Sequence, residues 1–265
     1  MKTALITGAS GGIGEALASK LASRKHNLVL IARNEEKLAQ LCQQLSTQFG
    51  IQAQYIVADL AKPEAAQQIF RETQTRNLEI ETLINNAGIG SGGEFSALPL
   101  QGELAMLQLN NSSLVAMTHY FLPQMQKRKS GTVINVASMA AFMPVPYMAV
   151  YAASKVFVRS FTEAITQECK PHNIHVMLLC PGLTKTNFNQ AAGIENQKGK
   201  ALTEGASLQT PDQVADELMN GLEQKKHVVI SGGSNRMGAK LTALIPNSLI
   251  AKRMAASYRQ KMTDY

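Results

Sequence analysis

The sequence predicts an α/β domain built on a doubly wound, seven-stranded parallel sheet with helices on both faces, plus a helical extension at the C-terminus. The main observation is an alternation of short, β-branched apolar runs with longer segments of helical periodicity. Seven such runs with six helical segments between them indicate crossover connections, which join parallel strands. A length of 265 residues is enough for one large domain of this class with a well-buried core.

Each element has a local signal in the sequence. The strands are predicted at Thr3–Ile6, Leu28–Ile31, Gln54–Val57, Thr82–Ile84, Thr132–Val136, His175–Leu179 and Val228–Ile230. The helices are predicted at residues 12–24, 34–48, 63–76, 99–127, 149–170 and 211–223. Asn34 is a typical N-cap for the second helix, and Pro211 suits the first position of the sixth.

The sequence shows no linker before residue 184, so residues 1–233 are predicted to form one domain. Within it, residues 184–209 are polar, contain glycine and are too long for a routine loop. We expect this segment to be a lid or a substrate-binding loop. Residues 234–265 are predicted to form a basic amphipathic extension.

The net charge of the chain is concentrated at its C-terminus. The sequence has 26 Lys and Arg against 19 Asp and Glu, a formal charge of +7. Eight of the basic residues and one acidic residue lie in residues 225–265, so residues 1–224 are neutral on balance. A neutral body argues against a general nucleic-acid-binding protein, which presents a basic face.

The C-terminal extension has a helical pattern over Met237–Met262, interrupted at Pro246, with an apolar stripe and basic side chains around it. Three interpretations of it are open. Such a helix can pack on its own domain or on a second subunit, lie on an anionic membrane surface, or bind an acidic protein partner.

Composition excludes further classes of protein. No stretch approaches the roughly 18 consecutive apolar residues of a transmembrane helix, and the short run after Met1 lacks the features of a signal peptide. Cys42, Cys169 and Cys180 are far apart and odd in number, which favours reduced thiols and a cytoplasmic location. The histidines show no metal-ligand spacing, so no metal is expected.

A glycine-rich turn follows the first predicted strand and opens the first predicted helix. It reads Thr7-Gly8-Ala9-Ser10-Gly11-Gly12-Ile13-Gly14. Glycines let backbone N–H groups approach a pyrophosphate closely, and a helix N-terminus favours that anion. The spacing differs from the usual G-x-G-x-x-G fingerprint, but its place at the first strand–helix junction favours a Rossmann-type dinucleotide site.

The end of the second predicted strand bears on the choice between NAD and NADP. A carboxylate there would bind the ribose 2′-hydroxyl, and none occurs before Glu35. Arg33 instead offers charge-assisted hydrogen bonds to a 2′-phosphate. NADP(H) is therefore the predicted cofactor, and a solvated arginine at a helix start is the simpler alternative.

Tyr151 and Lys155 are four residues apart and so share one face of a predicted helix. A cation beside a phenol favours the phenolate, which would bring the pKa of the tyrosine nearer to neutral for proton transfer. Such a pair is common on protein surfaces, but Ser138 follows the fifth predicted strand and would reach the same sheet edge as the glycine turn.

At this point the sequence resembles the short-chain dehydrogenase/reductase family over residues 1 to about 230. Several motifs agree in order and spacing: Thr7-Gly8-x-x-x-Gly12-x-Gly14, Ala58-Asp59-Leu60, Asn85-Asn86-Ala87-Gly88, Asn110, Ser138, Tyr151-x-x-x-Lys155 and Pro181-Gly182. Each motif alone is weak, but their combination is specific. The extension is similar to tails in a ketoacyl reductase and hydroxysteroid dehydrogenase branch.

The resemblance implies a catalytic role for four residues. Tyr151 would protonate a carbonyl oxygen during reduction or act as the base in oxidation. Lys155 would lower the pKa of Tyr151 and bind the nicotinamide ribose, and Ser138 would polarise the substrate carbonyl. Asn110 would hold a water that links Lys155 to solvent; adjacent Asn111 is the alternative.

The resemblance also implies a cofactor-binding set. Asp59 would accept a hydrogen bond from the adenine amino group, Asn86 would support the cofactor, and Thr186 would contact the carboxamide. The full set is Gly8, Ser10, Gly12, Ile13, Gly14, Arg33, Asp59, Leu60, Asn86, Ala87, Gly88, Tyr151, Lys155, Pro181, Gly182, Thr184 and Thr186. Two positions depart from the family: Thr184 replaces a usual Val or Ile, and Gly11 replaces a Lys or Arg common in NADP-preferring members. The second departure leaves use of NAD(H) open.

An apolar segment separates Ser138 from Tyr151 and predicts a hydrophobic pocket wall, although half of its residues can equally belong to the core. The pocket candidates are Met139, Phe142, Met148 and Phe188. The predicted function is hydride transfer between NADP(H) and a hydrophobic ketone or secondary alcohol, in a homodimer or homotetramer. A 3-ketoacyl-(acyl carrier protein) reductase is the alternative enzyme, and a dinucleotide-binding sensor or scaffold acting through its tail is the alternative of another class.

Overall fold

The computed structural model describes residues 1–186, Phe188 and residues 208–263, with side chains as far as Arg259. The predicted fold class is confirmed: one seven-stranded sheet has helices on both faces, and two further helices follow its last strand. The strands are β1 (Thr3–Thr7), β2 (Asn27–Ala32), β3 (Ala53–Val57), β4 (Ile80–Asn85), β5 (Gly131–Val136), β6 (Ile174–Cys180) and β7 (Val228–Ile230).

The helices between and after these strands follow the predicted order. They are α1 (Gly12–Ser23), α2 (Glu35–Phe49), α3 (Ala65–Thr75), α4 (Leu100–Leu107), α5 (Ser113–Arg128), α6 (Ala149–Cys169), α7 (Pro211–Glu223), α8 (Gly233–Thr242) and α9 (Asn247–Thr263). Asn34 caps α2 by accepting a hydrogen bond from the Lys37 amide at 2.9 Å. Thr210 and Gln213 form a capping box at the start of α7.

The strand order is β3-β2-β1-β4-β5-β6-β7, and every neighbouring pair is parallel. The carboxyl ends of all seven strands therefore lie along one edge of the sheet. The order reverses between β1 and β4, and open α/β sheets bind ligands in the crevice at such a switch point. The turn after β1 and the loop after β4 meet there.

Two apolar layers enclose the sheet. On one face, Leu17 of α1, Leu38 of α2 and Leu218 of α7 belong to one fully buried cluster. On the other face, Ile69 of α3 and Phe121 of α5 belong to a second one. Because both faces are covered, the strands are mostly apolar, with a few buried polar residues such as Asn85 and Asn135.

A buried polar chain crosses the sheet beneath the site. Asn85 of β4 donates hydrogen bonds to Asn135 of β5 at 2.9 Å and to Thr118 of α5 at 3.1 Å. Asn135 in turn donates to Thr162 of α6 at 3.0 Å. Buried hydrogen-bonded polar groups are costly to displace, so this chain fixes β4 and β5 relative to the helices that cover them.

The predicted helix over residues 99–127 is wrong in one respect, because the structure divides it into α4 and α5. One wide π-helical turn, Gln108–Ser112, joins the two. A π-turn inserts a residue without interrupting the apolar pattern, and such turns occur mostly at functional sites. Asn110 lies in this turn.

The C-terminal extension packs on its own domain, as one of the three interpretations expected. Ala239 of α8 is buried, and α8 lies against the short 3₁₀ helix Met139–Phe142. The ring of Tyr258 in α9 packs edge-on against that of Tyr147, with 6.2 Å between centroids. The expected interruption near Pro246 is confirmed by the break between the two helices. Among the described residues, no helix is long and apolar enough to cross a membrane.

Candidate active site

The glycine turn after β1 is shaped by close backbone packing. Gly8 has a φ of +67°, a conformation that L side chains rarely adopt. A Cβ at Gly14 would overlap the carbonyl oxygen of Gly8, so only glycine allows α1 to start this close to the turn. Gly11 precedes α1 and has no side chain to cap it. The amides of the first turn of α1 therefore suit an anion.

Asn86 fastens the loop after β4 to this turn. Its side-chain nitrogen donates to the carbonyl oxygens of Thr7 at 2.8 Å and Gly8 at 3.2 Å. In return, the Thr7 hydroxyl oxygen accepts from the amides of Asn86 and Ala87, each at 2.9 Å. Asn86, predicted to support the cofactor, thus lies at the switch point and holds two of the glycine-motif carbonyls.

Arg33 and Asp59 lie at the ends of adjacent strands β2 and β3. The Ala58 amide donates to the carbonyl of Ala32 at 3.0 Å, which keeps the two strand ends together. Arg33 is exposed, and the described residues make no hydrogen bond or ion pair with it. The Asp59 carboxylate accepts from the Ala61 amide at 3.1 Å, and Leu60 is buried.

Asn110 connects three parts of the site. Its side chain accepts from the Ile89 amide at 3.0 Å and donates to the Ile89 carbonyl at 2.9 Å. It also donates to the hydroxyl of Ser154 at 3.1 Å. The neighbouring Asn111 instead donates to the main-chain carbonyl of Ser154 at 2.8 Å. Asn110 is therefore the asparagine that faces the loop after β4.

Tyr151 and Lys155 share the buried face of α6, as their spacing predicted. The Lys155 ammonium lies 5.8 Å from the centroid of the Tyr151 ring. It donates a hydrogen bond to the carbonyl oxygen of Val136 at 3.1 Å. Burial lowers the pKa of Lys155 to about 8.

Two features of the fold act on the pKa of Tyr151. Burial raises this pKa and the Ser138 side chain lowers it, while the expected effect of Lys155 stays a prediction. Desolvation is the larger cause, because Tyr151 is only 8% exposed.

Ser138 begins the 3₁₀ helix Met139–Phe142 at the carboxyl end of β5. Its hydroxyl oxygen accepts from the Ala140 amide at 3.2 Å, which holds the side chain in place. The next residue, Met139, donates its amide to the carbonyl of Pro181 at 2.9 Å. Ser138 therefore lies between the phenol of Tyr151 and the segment that follows β6.

The segment after β6 closes one side of the site. Thr186 lies against Gly12, because a Cβ there would approach the Thr186 methyl group to 3.0 Å. Phe188 places its ring centroid 5.6 Å from that of Tyr151. Thr184 pairs with Gln209 in a parallel bridge. Most of the predicted lid, residues 184–209, lies outside the described residues, so that prediction stands as made.

The pocket candidates divide into two groups. Phe188 lies against Tyr151, and the Met139 side chain lies next to Gly238 of α8. Phe142 packs on the cluster around Val158 and lies 4.4 Å beneath the Arg159 guanidinium. Met148 is half-buried at the start of α6.

Three residues around the site were not singled out from the sequence. Ser154 joins Asn110 to the main-chain carbonyl of Tyr151, its hydroxyl donating at 2.7 Å. Asn235 of α8 packs on Gly182, and Tyr258 packs on Tyr147. Ser154 carries a detectable signal, since it is a polar residue on the Tyr151–Lys155 helix face. The other two depend on tertiary folding.

The residues at the sheet edge fit a dinucleotide. The glycine turn and the uncapped start of α1 suit a pyrophosphate, and Arg33 and Asp59 lie at the strand ends beside it. A Cβ at Gly88 would lie 3.4 Å from the Lys155 ammonium, so the backbone of Asn86–Gly88 and Lys155 border a common space. Pro181 and Gly182 border the same edge after β6.

Comparison with known proteins agrees with this geometry. Residues 2–197 match the short chain dehydrogenase family. A 7beta-hydroxysteroid dehydrogenase of Mediterraneibacter gnavus is 31% identical over 88% of this chain and 86% of its own. The ketoacyl reductase HetN of Nostoc sp. is 30% identical over 92% of this chain and 83% of its own. A short-chain dehydrogenase from Sphingobium yanoikuyae, solved in complex with NADPH, is 29% identical with a TM-score of 0.80 and 87% coverage of both chains.

The chain therefore belongs to the short chain dehydrogenase family. It is an NAD(P)-dependent oxidoreductase that acts on the CH–OH/C=O couple.

Proposed function

We propose that the protein transfers a hydride between NADP(H) and a hydrophobic ketone or secondary alcohol, with Tyr151 as the general acid or base. The observation that carries the proposal is the set of half-buried Ser138 and buried Tyr151 and Lys155 beside the glycine turn. The Ser138 side chain acts on Tyr151 to lower its pKa, and Lys155 lies on the same helix face as Tyr151. The relatives named above are dehydrogenases and reductases, which supports this assignment.

The side chains divide the work of carbonyl reduction. The nicotinamide, when bound, supplies or accepts the hydride. The Tyr151 hydroxyl donates its proton to the carbonyl oxygen, and the Ser138 hydroxyl orients and polarises that oxygen as a second donor. Lys155 is a cation below its pKa of about 8, so near neutral pH it favours the phenolate left behind. In alcohol oxidation the proton moves in the opposite direction.

Preference for NADP(H) is assigned to Arg33. Its side chain is exposed at the end of β2, where a guanidinium can bind a phosphate through two parallel hydrogen bonds. Gly11 adds no second cation, so NAD(H) is a weaker second cofactor in this proposal. The similar structure from Sphingobium yanoikuyae contains NADPH, which supports the preference.

A hydrophobic substrate is supported by the aromatic and thioether groups near Tyr151. Phe188 lies over the Tyr151 ring, and Met139 adjoins Ser138. Among the relatives, one acts on a hydroxysteroid and another is a ketoacyl reductase. A 3-ketoacyl-(acyl carrier protein) reductase is the second candidate, because a basic tail would attract an acidic carrier. The third candidate is a sensor or scaffold that binds the dinucleotide without turning over a substrate.

The test is a turnover assay with NADPH and a panel of a steroid ketone, a 3-ketoacyl thioester in free and carrier-bound form, and a small polar ketone. Tyr151→Phe is expected to lower kcat by about 10² to 10⁴-fold with little change in the dinucleotide Kd. The control, Tyr120→Phe, removes a hydroxyl on α5 where the ring stacks on Phe70, and should retain activity. Full activity in Tyr151→Phe would refute the mechanism, and binding without turnover would favour the sensor.

We also assign the protein to the cytoplasm as a homodimer or homotetramer. The cytoplasmic assignment is supported by three buried free thiols, Cys42, Cys169 and Cys180. The oligomer is supported by exposed apolar side chains on α4 and α6, namely Leu100, Leu104, Leu107, Val156 and Phe157.

A further inference from the structure

The corner between α8 and α9 exposes an unusual amount of aliphatic surface. Every residue from 243 to 249 is exposed, and Leu244 is 82% exposed. Met237, Leu241 and Leu244 follow one another at helical spacing, so they form one apolar face that continues into the corner. We call this surface the apolar corner; it consists of Met237, Leu241, Leu244, Ile245 and Leu249.

The helices that carry the apolar corner are anchored to the body of the protein. Arg236 forms an ion pair with Glu217 of α7 at 2.6 Å, and Ala239 is buried. On α9, the Tyr258 ring packs against Tyr147. Both helices thus contact the protein on their inner sides while the corner between them stays exposed. The apolar corner is therefore exposed even though both of its helices are packed on the domain.

The charges that α8 and α9 themselves carry have one sign, and Glu217 of α7, which is paired with Arg236, is an acidic neighbour. Lys240, Lys252 and Arg253 are exposed within three to four residues of its apolar side chains. The sequence contains no Asp or Glu from residue 224 to residue 263. The corner thus combines aliphatic groups with a basic surround, which is the composition of a surface that binds anionic lipid.

We propose that the apolar corner docks on an anionic lipid bilayer, with the aliphatic side chains in the interface and the basic ones against the headgroups. A second copy of the corner is disfavoured as the occupant, because pairing it with itself would bring like charges together. A protein hot spot is disfavoured too, since such sites are enriched in Trp, Tyr and Arg and poor in Leu. Docking goes beyond the proposed function and does not depend on it.

Docking would have two separable energetic parts. Burial of aliphatic surface is insensitive to salt, whereas attraction to anionic headgroups is screened over a Debye length of about 8 Å at physiological ionic strength. Neutral vesicles should therefore bind weakly and anionic vesicles strongly. Raising the salt concentration should remove most of the difference between them.

The experiment is flotation of the full chain with vesicles of phosphatidylcholine alone or mixed with phosphatidylglycerol. We expect at least tenfold stronger partitioning onto the anionic vesicles and at least a tenfold loss in Leu244→Gln/Ile245→Gln. Val57→Gln, which changes an exposed apolar residue on β3 at the opposite edge of the sheet from β7, should partition as the wild type does. Lys252→Gln/Arg253→Gln should lose the preference for anionic lipid, whereas Lys62→Gln/Lys127→Gln, with the same change in charge, should keep it.

Folding of the variants is checked by their thermal melting and by sedimentation velocity. Absence of wild-type binding to anionic vesicles would overturn the proposal. Equal binding by the corner variant would also overturn it, because another surface would then be responsible. A corner variant that dissociates into smaller species without losing vesicle binding would show a subunit interface instead. None of these outcomes depends on whether a ketone is reduced.

Discussion

The Lys155 ammonium donates a hydrogen bond to the carbonyl oxygen of Val136 at 3.1 Å. Val136 is the last residue of β5, two positions before Ser138. The interaction fixes the cation between α6 and the sheet edge, 5.8 Å from the Tyr151 ring centroid. A single carbonyl replaces little of the water that the ammonium loses, and burial lowers the pKa of Lys155 to about 8 from its ordinary 10.5.

The lowered pKa predicts that Lys155 reduces stability where it is charged. Between pH 8 and 10.5 the unfolded lysine holds a proton that the folded one has released, so the free energy of unfolding rises with pH across this window. Below pH 8 the cost is fully present, on the order of 3 kcal/mol. Lys155→Met should therefore be more stable than the wild type at pH 7, and its advantage should shrink towards pH 10.5.

Urea unfolding at several pH values measures this difference. Comparison of Lys155→Met with the wild type is essential, because burial raises the pKa of Cys180 to about 12 and that of Cys42 to about 11. Those thiols stay protonated in the folded state as the unfolded ones ionise, so they lower stability above pH 9 in both proteins. The effect of Cys180 is somewhat larger in Lys155→Met, because the Lys155 charge no longer lowers the pKa of that thiol. A stability difference independent of pH from 7 to 10.5 would contradict the role assigned to Lys155.

Two glycines of the same turn should respond differently to alanine. Gly14→Ala places a Cβ on the Gly8 carbonyl and should weaken dinucleotide binding at least tenfold, with a loss of about 1 to 3 kcal/mol in stability. Gly11 is extended, with a φ of 172°, and a Cβ there has open space. Gly11→Ala should bind as the wild type does. Fluorescence titration with NADPH measures the binding of each variant, and thermal melts measure its stability. Equal losses in Gly14→Ala and Gly11→Ala would exclude the close-packing explanation.

Arg33→Ala should separate the two cofactors. Loss of a guanidinium that binds the 2′-phosphate should raise the Kd for NADPH at least tenfold and leave the Kd for NADH within about twofold. Arg71→Ala, which removes an exposed arginine on α3, is the matched control. Calorimetric titration with each cofactor gives the ratio of the two Kd values. A similar increase in Kd for NADH and NADPH would mean that Arg33 does not bind the 2′-phosphate.

The exposed apolar set on α4 and α6 predicts self-association. Phe157 is 44% exposed and stacks on Phe161, so Phe157→Lys would place a charge in the proposed contact between subunits. We expect the wild type to sediment as a dimer or tetramer and the variant as a smaller species. Val57→Lys alters a similarly exposed residue at the edge strand β3 and should leave assembly unchanged. A monomeric wild type would disprove the assignment.

The sequence predicted all seven strands in their order because a sheet buried on both faces produces short, mostly apolar runs rich in β-branched residues. The boundaries differ by one or two residues, as at β4, which begins at Ile80 rather than Thr82. The division of residues 99–127 into α4 and α5 was not predictable from periodicity, because the π-turn keeps Asn110 within a continuous helical pattern.

The site was predictable only as a set of residue types at given spacings. The spacing of Tyr151 and Lys155 indicates a shared helix face, but the direction of the Lys155 ammonium depends on the carbonyl of Val136, to which no motif points. The pKa of Tyr151 follows from how much water the fold removes, which spacing does not reveal. Contacts such as that of Asn235 with Gly182 join segments that are more than 50 residues apart.

The packing of Tyr258 on Tyr147 has a consequence for synthesis of the chain. Tyr147 stands in the segment between Ser138 and Tyr151, and its carbonyl oxygen accepts from the Gly93 amide at 2.8 Å. Tyr258 follows Tyr147 in the chain, so it is translated later. The support of Tyr147 by Tyr258 can form only when α9 has left the ribosome, after the whole sheet has been synthesised. A chain terminated before α9 thus lacks this support for the segment between Ser138 and Tyr151.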